Sequence, residues 1–447
     1  MQMHSDALRL ALRKGPQTAR ALSERLRVSQ PTISRAIAVL GDEVLRLGRA
    51  RSIQYVLRDL SRGHAAIPVH RVDTEGRTRW LGDLLPVHPD GYVMQQADGV
   101  ARHSDGLPWW LFDMRPQGYL GRAFLLRHGG ALGLPQRLSD WSDKDVVRAL
   151  ISQGGDPVGN LLLGDTAVHQ FVHGPAPVPI PLQDKAVAYA ALADAAARGE
   201  VPGSSAGGEQ PKFIAFAETT SGPRHVLVKF TEAEPGPVSE RWRDLLLAEH
   251  LALNVLSDAG IPASRTAVID HAGQRFLEVE RFDRAGPTGR IGLFSLAALD
   301  AEFVGQGTGG WPSIVQALVR QRCVSPEAVD MASRLWAFGT LIGNTDMHTG
   351  NLSFISGQGR PYALAPAYDM TPMAFAPRSG GGVPAAVPDP VILPAVPSRI
   401  WRDAVLMARQ YLAALRGVPG FSDRFTACVH ALQAHVDTAA ARIARLG

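Results

Sequence analysis

Cysteine is almost missing from this chain of 447 residues: only Cys323 and Cys428 occur, far apart. That excludes a disulfide framework and any Cys-x-x-Cys metal site. No apolar run approaches the roughly 18 residues that a membrane span needs, so no membrane partner is expected. Asp6 and Arg9 stand where a secretory leader would carry its apolar stretch, and no signal peptide is expected. Asparagine is scarce too, with four in the whole chain. Net charge is a mild +4. What is plentiful is apolar material, 45% of residues against 20% charged, so a sizeable core can form and a disordered chain is excluded. The length suggests two to four domains and the composition a soluble, cytoplasmic protein.

The charge is unevenly spread. Residues 1–60 hold 11 Lys and Arg against 5 Asp and Glu, and the remainder is close to neutral. A basic head on a neutral body points to nucleic acid; the bland alternative is a solvated basic surface. The pattern of the head agrees with the charge. A helix over 4–14 ends at Gly15-Pro16. Thr18 can cap a second helix, and Ser29 a third with Pro31 in its first turn. Two apolar strands follow, Val44–Leu47 and Ile53–Leu57. Three short helices and a hairpin predict a winged helix-turn-helix over 1–60. The exposed residues that would reach DNA are Gln30, Thr32, Ser34 and Arg35, with Arg49 and Arg51 at the wing tip. A protein-interaction module of the same shape is the alternative.

Residues 61–200 read as a mixed, β-rich region with helices near 143–152 and 184–198. Gly174 to Pro179 is a Pro-rich connector. Asp113 to Arg122 is dense in polar and turn residues, with no chemistry evident from first principles.

The chemistry lies in residues 203–372. A small-residue loop, Gly203 to Gly208, enters a strand at Lys212. Backbone amides in such a loop can approach a phosphate closely, although a plain turn fits equally well. Lys229 ends an alternating strand and can hold phosphates as a point charge; a solvated strand lysine is the plain alternative. Glu249, on a helix over 240–259, can pair with it. Glu278 to Arg284 leaves a strand for a charged turn, where a base could meet the backbone or a charged edge could simply face solvent.

The strongest signal is Gly343-Asn344-Thr345-Asp346-Met347-His348-Thr349-Gly350-Asn351. Two of the four asparagines fall in this run with an aspartate between them. Asp346 to Asn351 is D-x-x-x-x-N, the spacing of a base that takes a hydroxyl proton and an amide that holds Mg²⁺. Tyr368-Asp369-Met370 supplies a second oxygen ligand for a hard cation. An Asx-rich turn is the competing reading. His348 has no partner His or Cys and is read as a loop-packing residue beside the cofactor, not a metal ligand. The order of elements (Gly loop, strand lysine, helix glutamate, hinge, Asp/Asn loop, metal aspartate) is that of a protein-kinase-like two-lobed fold.

These runs resemble the HipA family of serine/threonine kinases, the toxins of HipBA-type toxin–antitoxin systems. They also resemble the YjjJ/HipH-like subgroup with a fused N-terminal helix-turn-helix. Ser-Ala-Gly-Gly-Glu-Gln-Pro-Lys, Glu-Arg-Phe-Asp-Arg, Asn-Thr-Asp-Met-His-Thr-Gly-Asn and Pro-Ala-Tyr-Asp-Met carry the likeness over roughly residues 62–430, and Asp113–Arg122 looks like a stretch of the fused subgroup. The resemblance implies an α+β fold with a β-rich N-lobe and an all-α C-lobe. It implies Asp346 as catalytic base, Asn351 and Asp369 on Mg²⁺, Lys229, Gly207 and Gly208 on ATP phosphates, and Glu280 and Phe282 at the adenine. It implies autophosphorylation of Ser205, with Ser204 as the neighbouring alternative.

The corresponding units are 1–60, 61–200, an ATP-binding part over 201–283 and a catalytic lobe over 284–447. The resemblance further implies a protein substrate, such as an aminoacyl-tRNA synthetase, and a role in persistence. It leaves room for a separate HipB-like antitoxin. A fused head would tether the kinase to its promoter or restrain it in cis. The rival readings are a DNA-binding regulator whose kinase-like body only senses nucleotide, and a small-molecule kinase. The Pro-rich stretch Pro377–Pro397 cannot be placed from sequence.

Overall fold

The computed structural model describes residues 2–48, 53–198, 210–307, 310–357 and 359–445. Its fold is α+β. The head has helices Gln2–Leu12, Ala19–Leu26 and Gln30–Leu40. Thr18 and Ser29 cap the second and third by accepting from the amides of Ala21 and Thr32. The turn between them closes on Arg27, whose φ of +53° lies in the left-handed region. Leu8, Leu12, Leu22, Ile33 and Leu40 meet at its core. Strands Val44–Leu47 and Gln54–Leu57 pair antiparallel beside it, and Gln17–Thr18 joins as a third. Arg49 and Arg51 lie outside the described residues. The head is not strung on a linker: Leu47 and Val56 are buried against Leu85, Val87 and Val93 of the next unit.

That next unit is a five-stranded antiparallel sheet in the order Ala101–Ser104, Tyr92–Gln96, Thr78–Pro86, Ile67–Val72, Leu161–Leu163. Helices Gly118–Leu132, Asp143–Gln153 and Gly164–His173 accompany it, so the region is as helical as it is stranded. The expected boundary at 200 needs correcting. Helix Lys185–Ala197 buries Tyr189 and Ala193 against Phe213, Val226 and Phe276 of the following sheet, so it belongs to that sheet. The Pro-rich connector before it is where the packing changes hands.

The following sheet has four antiparallel strands in the order Thr266–His271, Gln274–Glu280, Gly222–Phe230, Lys212–Thr219. Helix Pro237–Asp258 packs on it and runs into a helical body built from Leu296–Phe303, Trp311–Arg320, Ala328–Leu341, Ser398–Gly417 and Phe425–Ile443. The expectation of an all-α second lobe is not met. Gly292–Ser295, Ser353–Ser356 and Ala363–Leu364 form a three-stranded sheet, and Arg284–Ala285 pairs with Gly289–Arg290. The physical reason is backbone satisfaction: the segment that follows the Asp/Asn loop is buried at Leu352 and Phe354, and its amides and carbonyls need ladder partners. The Pro-rich stretch is also placed. Val387, Ile392 and Leu393 pack on the helical core, and Arg241 donates to the carbonyls of Phe375 and Pro384 at 3.0 and 2.5 Å. No helix among the described residues is long and apolar enough to cross a membrane.

Candidate active site

Strand alternation sets up the site. On Gly222–Phe230, Val226, Val228 and Phe230 point into the core under helix Lys185–Ala197. Leu227 and Lys229 point the other way, into a cavity of about 430 Å³ between the sheet and the helical body. On the neighbouring strand Lys212 sits directly opposite Lys229, and it and Ile214 line the same cavity.

Lys229 is buried and holds two carboxylates. Its Nζ donates to Glu249 Oε1 and Oε2, both at 2.7 Å, and to Asp369 Oδ1 at 2.6 Å. Thr371 Oγ1 donates to Glu249 Oε2 at 2.9 Å. Burial pushes the Glu249 carboxyl up. Burial would also raise Asp369, but the attraction of Lys229 wins and holds it below the usual range. Burial alone would lower Lys229; its two carboxylates outweigh that and keep it protonated. Asp369 has a φ of +57°, and Asn344 Nδ2 donates to its carbonyl at 3.3 Å.

The Asp/Asn loop is braced from inside. Asn344 is buried, and its Oδ1 accepts from the Asp346 amide at 3.0 Å. Asn351 Nδ2 donates to the Asp346 carbonyl at 2.9 Å. The Gly350 amide donates to His348 Nδ1 at 3.0 Å, and Tyr368 OH to the Gly350 carbonyl at 2.8 Å. The Asp346 side chain is reached by solvent and lies beside the cavity, not on its wall. Its carboxyl is nonetheless raised, by partial burial first and by the charge of Asp369, against the pull of His348 and Lys229.

Seven of the expected residues share the cavity wall: Lys229, Glu249, Glu280, Phe282, His348, Asn351 and Asp369. Thr219 Oγ1 holds the Glu280 carboxylate at 2.8 Å, and the Phe282 ring lies 5.7 Å from that of Tyr368. The Phe282 amide donates to no backbone carbonyl among the described residues. Ser204, Ser205, Gly207 and Gly208 lie outside the described residues. Gln30, Ser34 and Arg35 are exposed on the third helix of the head, while Thr32 is half-buried and its hydroxyl is bonded to that of Ser29 at 2.9 Å.

Sequence reasoning passed over several residues. Lys212 and Asp113 line the cavity, as does Ser264, whose buried hydroxyl has no partner among the described residues. Lys185 and Tyr189 converge on the buried Glu278 at 2.6 and 2.5 Å. A signal was available. Only five of the 46 basic residues are lysine, and three of those, Lys185, Lys212 and Lys229, are buried in this lobe. The charged turn after Glu280 also has a use beyond a base-binding edge. Asp283 accepts from Arg281 and Arg284 at 2.9 and 2.7 Å and from the Gly159 amide at 3.2 Å, and Arg284 reaches Asp156 at 2.5 Å. It staples the second unit to the site.

Two family descriptions match the chain: "YjjJ-like toxin, middle domain" over residues 63–172 and "HipA-like C-terminal domain" over 204–389. The chain is also 40% identical over 438 residues to Toxin YjjJ of Escherichia coli (strain K12), covering 98% of each. The chain belongs to the YjjJ-like toxins of the HipA family. Among solved structures, the HipA–HipB–operator DNA complex of Shewanella oneidensis MR-1 matches at 15% identity and a TM-score of 0.49, covering 85% of this chain and 97% of that one. The proinflammatory kinase CtkA of Helicobacter pylori matches at 14% and a TM-score of 0.37, covering 53% and 93%. In this YjjJ-like chain the middle-domain match coincides with the five-stranded sheet and its helices. The HipA-like match begins in the Gly-rich run and takes in the whole Lys229–Glu249–Asp369 cluster.

Proposed function

We propose that this HipA-family chain is an ATP- and Mg²⁺-dependent serine/threonine protein kinase with a DNA-binding head. The observation that carries the reading is the buried Lys229 ammonium shared by Glu249 and Asp369 on the wall of a cavity that also holds Lys212 and Asn351. Two lysines opposite one another suit a polyphosphate, and the Glu249 pairing fixes one of them in place. The Phe282 amide, which donates to no backbone carbonyl among the described residues, suits an adenine edge, with Glu280 beside it. Asn351 Oδ1 and the Asp369 carboxylate offer hard oxygen atoms on the cavity wall, the donor type that Mg²⁺ takes when phosphates and water complete its shell. Bound there, the ion would neutralise phosphate charge.

Asp346 takes the proton of the attacking serine hydroxyl. Its raised proton affinity suits that role. The serine oxygen bonds the γ-phosphorus, the bond to the β-bridging oxygen breaks, and ADP leaves. The first acceptor is Ser205, or Ser204, in the chain's own Gly-rich run beside Gly207 and Gly208. The target in trans is a protein, with an aminoacyl-tRNA synthetase as the first candidate. Gln30, Thr32, Ser34 and Arg35, with Arg49 and Arg51, are assigned to DNA.

Intact mass spectrometry after incubation with Mg-ATP tests this, beside Asp346→Ala. The expected result is a phosphate gained on Ser205 or Ser204 and absent in the variant. No gain on a dephosphorylated sample would move the weight to a DNA-binding regulator that only senses nucleotide. The packing of the head on the middle unit, whose Phe112, Gln117 and Leu120 reach the cavity, is what favours that second reading.

A further inference from the structure

The middle domain carries no part of the expected nucleotide set, yet it supplies a wall of the cavity. Phe112, Gln117 and Leu120 line it from one segment, and Val158 from another. The first segment is anchored at both ends to different bodies. Trp109 packs on Phe294 and Phe303 of the helical body, with ring centroids 4.7 and 5.2 Å apart. Asp113 accepts from the Ser295 amide and the Ser295 hydroxyl, both at 2.6 Å. Ser295 in turn caps helix Leu296–Phe303 by accepting from the Ala298 amide. Eleven positions after Trp109, Leu120 has reached the strand lobe, and the adjacent Tyr119 ring meets Phe230 edge-on at 6.3 Å. Residues 109–120 therefore run from one lobe to the other along the cavity.

The second segment is held as firmly. Gly159 donates to Asp283, and Arg284 donates to the carbonyls of Gly159 and Pro157 at 3.1 and 2.6 Å, which pins Val158 between them. Amid these bonded neighbours the Gln117 side chain makes no hydrogen bond among the described residues, and Gln117 lines both this cavity and the neighbouring cleft beside Arg122. An amide with two donors and an acceptor left open on a ligand cavity is built to meet the ligand.

We propose that residues 109–120 form a strap that completes the nucleotide cleft, with Gln117 as a nucleotide-contacting residue and Asp113 as its positioning residue. This rests on the kinase reading above. It makes the middle domain part of the ATP site. A HipA-like piece lacking residues 63–172 would have a cavity open on one side.

The test is isothermal titration of the full chain with Mg-ATP, together with the KM for ATP in autophosphorylation. Gln117→Ala should weaken binding about 3- to 10-fold, the range of one hydrogen bond. It should raise KM, with kcat and the melting temperature without nucleotide unchanged. Asp113→Ala should weaken binding at least as much. Asp113→Asn should bind as the wild type does, because its Oδ1 can accept from the Ser295 amide while its Nδ2 donates to the Ser295 hydroxyl. If Asp113→Ala does not fold, Gln117→Ala decides. Wild type that binds Mg-ATP, with Gln117→Ala and Asp113→Ala binding equally well, overturns the strap. Wild type that binds no Mg-ATP overturns the kinase reading instead.

Discussion

Lys229→Met and Glu249→Gln remove opposite halves of one buried ion cluster, and charge balance predicts unequal costs. Glu249 is 1% exposed and Lys229 6%. Glu249→Gln leaves Lys229 still paired with Asp369 at 2.6 Å, and the Gln amide can still accept from Lys229 or Thr371. The loss is then one charge-assisted hydrogen bond, about 1–3 kcal/mol. Lys229→Met leaves two carboxylates facing one another with their shared cation gone. Breaking a buried pair so that charge is stranded costs about 3–5 kcal/mol.

The stranded pair has an escape, which is to bind a proton, and that fixes the sign of the pH dependence. In Lys229→Met a carboxyl pKa rises in the folded state above its unfolded value, so the folded state binds the extra proton. Its deficit is smallest near the unfolded carboxyl pKa and grows as pH rises through the folded one, by up to about 1.4 kcal/mol per pH unit. Denaturant midpoints of wild type and both variants between pH 5 and 8, read by fluorescence without nucleotide, measure this. Equal costs for the two variants, or a Lys229→Met deficit that is flat with pH, would refute the charge-balance reasoning.

Three further outcomes follow from the same geometry. Because burial and Asp369 raise the Asp346 carboxyl, a base at Asp346 must lose its proton at a higher pH than an ordinary aspartate. The acid limb of the kcat/KM profile should therefore lie above the usual aspartate value and move down in Asp369→Asn, provided residual activity can be read. Asp283 is buried; burial would raise its carboxyl, but Arg281 and Arg284 hold it down to about 2. Its contribution is present above the ordinary carboxyl pKa and lost as pH falls toward 2. Asp283→Asn should cost about 3 kcal/mol and open the middle domain to protease between the two matched regions, which limited proteolysis reads. Arg35→Ala in the head should weaken DNA binding and lower the salt slope by about 1, measured by anisotropy at several salt concentrations.

What could be read from sequence was what chemistry dictates locally. Caps at Thr18 and Ser29, the alternation ending at Lys229, and the crowding of two of four asparagines around Asp346 all follow from spacing and residue type. What could not be read depends on which surfaces meet. The Ala-rich helix over 185–197 is assigned to the wrong unit because small side chains give no face preference; only the docking of Tyr189 against Phe213 decides it. Asp113 gave no chemistry because its partner, Ser295, lies 182 residues away. Asp283 looked like a hinge residue because its bond to Gly159 crosses 124 residues. Lys212 is the instructive omission. It was visible as a rare lysine in an arginine-rich chain, but its place opposite Lys229 is a fact of strand register.

The same packing changes how the head should be tested. A fused DNA-binding unit invites deletion of residues 1–60, with loss of operator binding or release of toxicity as the readout. That experiment assumes a head on a tether. Here Leu47 and Val56 are sealed against Leu85, Val87 and Val93, which are 4%, 0% and 1% exposed. Arg58 bridges to Val87, and Arg62 pairs with the buried Asp59 at 2.8 Å while donating to the carbonyls of Val87 and Gly91. Stripping the head uncovers three core side chains at roughly 1.5–3 kcal/mol each, on a sheet whose Leu84, Tyr92 and Met94 share a core with Leu111 and Met114 of the segment that lines the cavity at Phe112 and Gln117. The deletion should therefore lower the melting temperature and weaken nucleotide binding whether or not the head regulates anything. Point changes on the exposed face of the third helix, Gln30→Ala, Ser34→Ala and Arg35→Ala, avoid that confusion. If they abolish DNA binding with phosphorylation unchanged, the head addresses the enzyme to DNA. If DNA added to the wild type changes the phosphorylation rate and DNA added to those variants does not, the head regulates the enzyme.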